Sequence, residues 1–243
     1  MAVRIHSKEV DRGRFHHSEK EPSLPGLVFV HDVWGLSDHS QALCRDLASE
    51  GFGVLELDLY RDLGVVRPTG NPGAFIRSLS DPEVLAVHDA AADWLAVHSI
   101  CRGRRVGIAG VCMGGTYALL AACLSDRFSA SAPFCGILSY ETGMLADPDG
   151  RDRAKKPRSP LEVADRLRMP LRASFGIDDE FVPGADVDRL EVALAESGQR
   201  FFVDRYEGAG HAFLNRTRKD AYRPHAAAEA WRRVIPFLHG ALD

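Results

Sequence analysis

Short apolar runs alternate along this chain with longer segments whose apolar residues recur at helical spacing. Residues 27–30 form the first run, preceded by Pro25 and Gly26 and ended by His31-Asp32. That is the pattern of a buried strand. Ala42, Leu43 and Leu47 then share one helical face, with Asp38 as the expected cap and Gly51 as the stop. Residues 54–59 read as the next strand. Residues 62–80 carry Gly64, Pro68, Gly70, Pro72 and Gly73, and read as a loop or partly helical excursion. Asp81-Pro82-Glu83 opens a helix, Asp81 capping it and Pro82 at its first position, with Val84, Val87, Ala91, Trp94 and Leu95 as its buried stripe. Further strands are expected at 105–109, 130–134, 170–176 and 199–206, and helices at 113–124, 186–197 and about 220–237. A second irregular stretch covers 139–160. Strands alternating with amphipathic helices predict an α/β fold: one domain over 1–243, its mostly parallel sheet covered by helices on both faces. No internal repeat is present.

In such sheets, groups at the carboxyl ends of strands converge on a crevice. Asp32, Cys112, Asp179 and His211 all occupy such ends. Cys112 lies in Gly110-Val111-Cys112-Met113-Gly114-Gly115, directly after the apolar residues 106–109. Small residues on either side of a nucleophile permit the sharp strand-to-helix turn called a nucleophile elbow, here with cysteine where serine is usual. A free thiol has a pKa of about 8.5, and a helix N-terminus or a neighbouring imidazolium favours its thiolate. His211, in Glu207-Gly208-Ala209-Gly210-His211-Ala212-Phe213, is the candidate base and acid. An imidazole in that role needs a carboxylate to set its tautomer. Spacing alone leaves Asp178 and Asp179 both open. The order nucleophile, acid, histidine is that of α/β hydrolases. The amides of Met113 and Val33 are the candidate oxyanion donors. Each residue has a plainer reading: a cysteine is commonly buried and inert, and a loop histidine or amide is commonly satisfied by its surroundings.

Taken together, His31-Asp32-Val33-Trp34-Gly35, Asp58-Leu59-Tyr60-Arg61, the Cys112 elbow, Asp179-Glu180-Phe181-Val182-Pro183 and the His211 segment resemble the dienelactone hydrolase (carboxymethylenebutenolidase) family of α/β hydrolases. The resemblance runs in family order from about residue 24 to the end of the chain. It implies that the acid is Asp179, which stands before Phe181-Val182-Pro183. It implies the opening of an enol lactone, such as dienelactone, through an acyl-cysteine, with no metal or organic cofactor. The family's thiol-contacting acid, usually glutamate, corresponds here to the shorter Asp32. The family's pocket arginine four positions after the histidine corresponds to Asn215, beside Arg216, and Arg77 is a candidate for a second carboxylate-binding position. Asparagine does not match the bidentate grip of arginine on a carboxylate. An esterase or thioesterase acting on a small neutral acyl group is therefore an alternative, and a non-catalytic binding protein that keeps the fold is another. Trp34 and Tyr60 follow strands at the active end and either line the pocket or pack beneath it. The stretches 62–80 and 139–160 are expected to shape it.

Composition narrows the classes. The chain has 243 residues, 45% hydrophobic, and 30 basic against 34 acidic residues give a formal charge of -4, with no basic surface for nucleic acid. Its five cysteines, Cys44, Cys101, Cys112, Cys123 and Cys135, are odd in number and form no Cys-x-x-Cys pair. That argues against a disulfide framework or structural zinc and fits a reducing compartment. No apolar stretch suits a signal peptide or a membrane span. The expectation is a cytoplasmic protein, monomeric or weakly homo-oligomeric, whose partner is a small ester or lactone.

Overall fold

A computed structural model describes residues 3–19 and 22–243. Its centre is a sheet of eight strands: β1 (Ile5–Val10), β2 (Gly13–Ser18), β3 (Gly26–Val30), β4 (Gly53–Leu57), β5 (Val106–Val111), β6 (Ala130–Phe134), β7 (Leu171–Gly176) and β8 (Phe201–Tyr206). Their spatial order is β1-β2-β4-β3-β5-β6-β7-β8. The pairs β1/β2 and β2/β4 are antiparallel, and all the others are parallel. Every residue of β3, β4, β5 and β6 is buried. That is why they read as continuous apolar runs rather than as alternations.

The helices are α1 (Asp38–Ser49), α2 (Leu59–Leu63), α3 (Pro72–Ser78), α4 (Asp81–Val97), α5 (Met113–Leu124), α6 (Gly184–Glu196) and α7 (Pro224–Leu242). Two apolar clusters cover the sheet. One joins α4, α5 and α6 to it through residues such as Leu95, Tyr117, Leu120 and Leu190. The other joins α1 and α7 through Leu43, Leu47, Val234 and Leu238. No helix among the described residues is long and apolar enough to cross a membrane.

Several boundaries differ from the sequence reading. The hairpin β1–β2 precedes the first expected strand. Four of the six residues of its outer strand are polar or charged and none is buried, so it carries no apolar run. Gly13 closes it at φ 138°, where a Cβ would lie 2.1 Å from the Glu56 carbonyl oxygen. The cap of α1 is Ser37, which exchanges hydrogen bonds with Ser40, and not Asp38. The cap of α4 is likewise Ser80, and not Asp81. Asp81 instead turns inward, where Lys156 Nζ lies 2.5 Å and the Tyr140 hydroxyl 2.9 Å from its carboxylate. The last helix begins at Pro224, four residues later than expected, because the residue before a proline is pushed out of helical geometry. It also runs further, so that Leu242 packs beside Gly107 of β5. The stretch 62–80 contains the helix α3, and 139–160 contains one turn of 3₁₀ helix at Gly143–Leu145.

Candidate active site

The turn between β5 and α5 is built by close backbone contact. A Cβ on Gly110 would lie 2.4 Å from the Gly114 carbonyl oxygen, and one on Gly114 would lie 2.1 Å from that of Val30. Only glycine lets these segments meet. Between them Cys112 takes φ 56° and ψ −118°, a conformation that costs a non-glycine residue of order 1–3 kcal/mol. The strain lifts the thiol off the sheet to a partly exposed position. The Cys112 amide donates to the Phe134 carbonyl at 2.9 Å. Met113 opens α5, and the first amides of a helix have no carbonyl of their own helix to meet.

Asp179 and His211 arrive from the loops after β7 and β8. His211 Nδ1 and Asp179 Oδ2 are 2.8 Å apart, and Asp179 Oδ1 accepts from the Phe181 amide at 2.9 Å. Asp179 is buried, whereas the neighbouring Asp178 is exposed. The His211 and Phe181 rings stand nearly perpendicular, their centroids 5.1 Å apart. Burial by itself disfavours the charged imidazole, but a thiolate at the adjoining Cys112 and the Asp179 carboxylate outweigh it and push the His211 pKa up from 6.5 to about 10. Cys112 and His211 interact at the edge of hydrogen-bond geometry, for Nε2 is buried with no well-aligned partner. Nδ1 is thus occupied by the carboxylate, and Nε2 remains on the side of Cys112.

The loop after β3 is equally constrained. His31 Nδ1 bonds the Asp32 carbonyl at 2.6 Å. Burial lowers the His31 pKa despite the acidic residues around it, which makes its ring a neutral donor. Asp32 Oδ1 accepts from the Trp34 amide at 2.8 Å. The Tyr60 hydroxyl donates to the Val33 carbonyl at 2.7 Å, so it fixes the peptide that follows Val33 and packs beneath the loop. Trp34 is 43% exposed, outside this packing.

A small cavity of about 20 Å³ adjoins Cys112. Its apolar wall is Val111, Phe134, Phe213 and Leu214, and its polar groups include Asp32, His39 and Cys135. Among the described residues, the non-glycine positions with positive φ are Cys112, Cys135 and Ala212, and all three line this cavity. Backbone strain is therefore gathered at one place, as it is at functional sites. His39 and Cys135 escaped the sequence reading. Cys135 carried a usable signal, since it stands at the carboxyl end of β6. His39 sits on α1 within no motif, and only folding brings it to the cavity.

The expected carboxylate-binding residues are engaged elsewhere. Arg77 donates to the Met144 carbonyl at 3.0 Å and lies 3.7 Å from Asp147. Arg216 pairs with Asp46 at 2.7 Å. Asn215 is buried, its side-chain oxygen accepting from the amide and hydroxyl of Thr217. Among the described residues, two groups of side chains have metal-ligand chemistry: Cys135 with Asp179 and His211, and His16 with Cys44 and Glu56. The second is a buried network in which Glu56 bonds His16 at 3.1 Å and Ser40 at 2.7 Å.

Residues 13–242 match the sequence profile of the dienelactone hydrolase family. A Bradyrhizobium protein named "probable 2-oxo-3-(5-oxofuran-2-ylidene)propanoate lactonase" is 30% identical over 88% of this chain and 83% of its own length. A carboxymethylenebutenolidase of Rhodococcus opacus is 29% identical over 92% of this chain and 84% of its own. Among solved structures, a dienelactone hydrolase-like promiscuous phosphotriesterase from metagenomic libraries superposes with a TM-score of 0.80 at 21% identity, covering 98% of this chain and 99% of that one. The architecture is the α/β-hydrolase fold.

Proposed function

Because this chain belongs to the dienelactone hydrolase family, whose members hydrolyse ester or lactone bonds, we propose that it does so through an acyl-cysteine on Cys112. The observation that carries this reading is the strained Cys112, beside a histidine whose other nitrogen is held by a buried carboxylate at 2.8 Å. The Cys112 thiolate attacks the substrate carbonyl, and the amides of Met113 and Val33 receive the oxyanion. The carbon–oxygen bond to the leaving group breaks, and His211 supplies its proton to that oxygen. A lactone thereby opens while remaining attached as a thioester. Neutral His211 then takes a proton from water, which attacks the thioester and returns the thiolate with the imidazolium. Asp179 orients His211 and stabilises its charged form. Asp32 lines the same cavity as Cys112 and, through the Trp34 amide, holds the loop that carries Val33.

A thiolate is itself a good leaving group, so the first step goes forward best when the oxygen leaves as a stabilised enolate. The names of the Bradyrhizobium and Rhodococcus relatives support a lactone of that kind. A second reading is a small neutral ester or thioester. It is favoured by the apolar wall of Val111, Phe134, Phe213 and Leu214, and by the absence of arginine among the residues lining the cavity.

The test is single-turnover hydrolysis of dienelactone beside p-nitrophenyl acetate, with mass analysis of the acid-quenched protein and Cys112→Ser as control. A fast dienelactone reaction with the adduct on Cys112 supports the lactone reading. Turnover of the neutral ester alone supports the second. Turnover of either with no covalent species and an active Cys112→Ser rejects the thiol mechanism.

A further inference from the structure

Two thiols face the cavity, and the proposed reaction uses only Cys112. Cys135 follows directly on β6. Val111 and Phe134 are the last paired positions of the parallel β5–β6 ladder, so Cys112 and Cys135 are the residues that directly follow it, and the Cys112 amide bonds the carbonyl of the residue before Cys135 at 2.9 Å. Neighbouring strands lie roughly 4.7–4.9 Å apart, within the roughly 4.4–6.8 Å between Cα atoms that a disulfide spans. Both residues have left-handed backbones, with φ 56° and 49°, and both line one cavity. The Cys135 sulfur, an Asp179 oxygen and a His211 nitrogen all lie within 4.8 Å of one another.

The two thiols differ in exposure. Cys112 is partly open, while Cys135 is 4% exposed. Burial pushes the Cys135 thiol well up, the nearby Asp179 and Cys112 add to this, and contacts with the Gly176 and Ala212 backbone oppose it. Cys135 therefore rests as a protonated thiol and does not compete for acyl groups.

We propose that Cys135 is a resolving thiol for oxidised Cys112, so that a peroxide converts the pair to a reversible Cys112–Cys135 disulfide. The Cys112 thiolate attacks the peroxide and breaks its O–O bond. The sulfur gives up two electrons and becomes a sulfenic acid, and the peroxide leaves as hydroxide. The Cys135 sulfur then attacks the sulfenic sulfur. The S–O bond breaks, and the departing hydroxide takes the Cys135 proton away as water. A dithiol reductant restores both thiols by exchange. The disulfide blocks the nucleophile and prevents its irreversible oxidation to sulfinic or sulfonic acid.

The proposal rests on the reading of Cys112 as a reactive thiol, but its readout is covalent and needs no substrate. The native protein is treated with hydrogen peroxide, alkylated, digested and mapped. The expected result is a crosslinked peptide pair containing Cys112 and Cys135, with loss of ester turnover that dithiothreitol reverses. In Cys135→Ser, and in Cys135→Ala as a second variant, Cys112 should instead gain two or three oxygens, and dithiothreitol should no longer restore activity. An over-oxidised Cys112 without crosslink in the native protein would overturn the proposal, as would variants that recover as fully as the native protein. A crosslink in a protein that hydrolyses no ester would leave the disulfide standing and reject the proposed function.

Discussion

At the residue scale, the strained thiol and its histidine make the sharpest predictions. Replacing Cys112 with alanine removes the attacking atom, and kcat/KM should fall by about 10³-fold or more with the fold intact. Steady-state kinetics beside circular dichroism checks both halves of that statement. In the proposed mechanism protonated His211 donates to the leaving oxygen, so activity should be lost as pH rises through its pKa. With that pKa raised to about 10, the alkaline limb of kcat/KM should lie near 10, far above the ordinary histidine value. Asp179→Asn removes a charge that favours the imidazolium, so it should move that limb downward and lower kcat by about 10²–10⁴-fold. A limb that stays put in Asp179→Asn would mean that it belongs to another group. Cys112 was readable in the sequence because its motif is local: glycines, strand and helix start are all neighbours of one thiol. The choice between Asp178 and Asp179 was not local. Spacing leaves the two open and the family resemblance points to Asp179; the loop after β7 turns so that the Asp179 carboxylate meets His211 while Asp178 is exposed.

At the element scale, the elbow and the loop after β3 act as one unit, because the backbone of Gly114 touches that of Val30 and His31. Gly114→Ala cannot be relieved by a rotamer change, since the close atoms are backbone oxygens. It should cost about 3 kcal/mol, read from denaturant midpoints. Tyr60→Phe is gentler. It frees the Val33 carbonyl at a cost of about 1 kcal/mol and loosens the neighbouring peptide. If that peptide serves the oxyanion, kcat should drop by about tenfold with KM little changed. An unaltered kcat would reduce Tyr60 to a packing residue. The caps show how far local chemistry carries. Asp38 and Asp81 have the right residue type, but serine precedes each of them, and a serine hydroxyl one residue earlier meets the free amides. For Asp81 the displaced carboxylate gains a different task, which no local pattern announces.

At the scale of the whole molecule, that task is to anchor the 139–160 stretch. Lys156 reaches from it to Asp81 of α4 at 2.5 Å and to the Tyr117 hydroxyl of α5 at 2.9 Å, and Tyr140 bonds the same carboxylate. Lys156→Met leaves Asp81 buried without its cation and should cost about 3–5 kcal/mol. Adding Asp81→Leu should recover much of that loss, as thermal or denaturant unfolding of the single and double variants would show. The sequence by itself determined the α/β alternation, the buried parallel strands and the segments that carry Cys112, Asp179 and His211. These follow from hydrophobic period and from motifs whose parts adjoin along the chain. Tertiary structure alone decided the rest. It paired a polar hairpin to the sheet edge and brought His39 and Cys135 to the cavity. It also drew Arg77, Asn215 and Arg216 into bonds away from that cavity. The reason is physical: period and turn chemistry act over a few residues, whereas the partner of a side chain depends on which distant elements pack beside it.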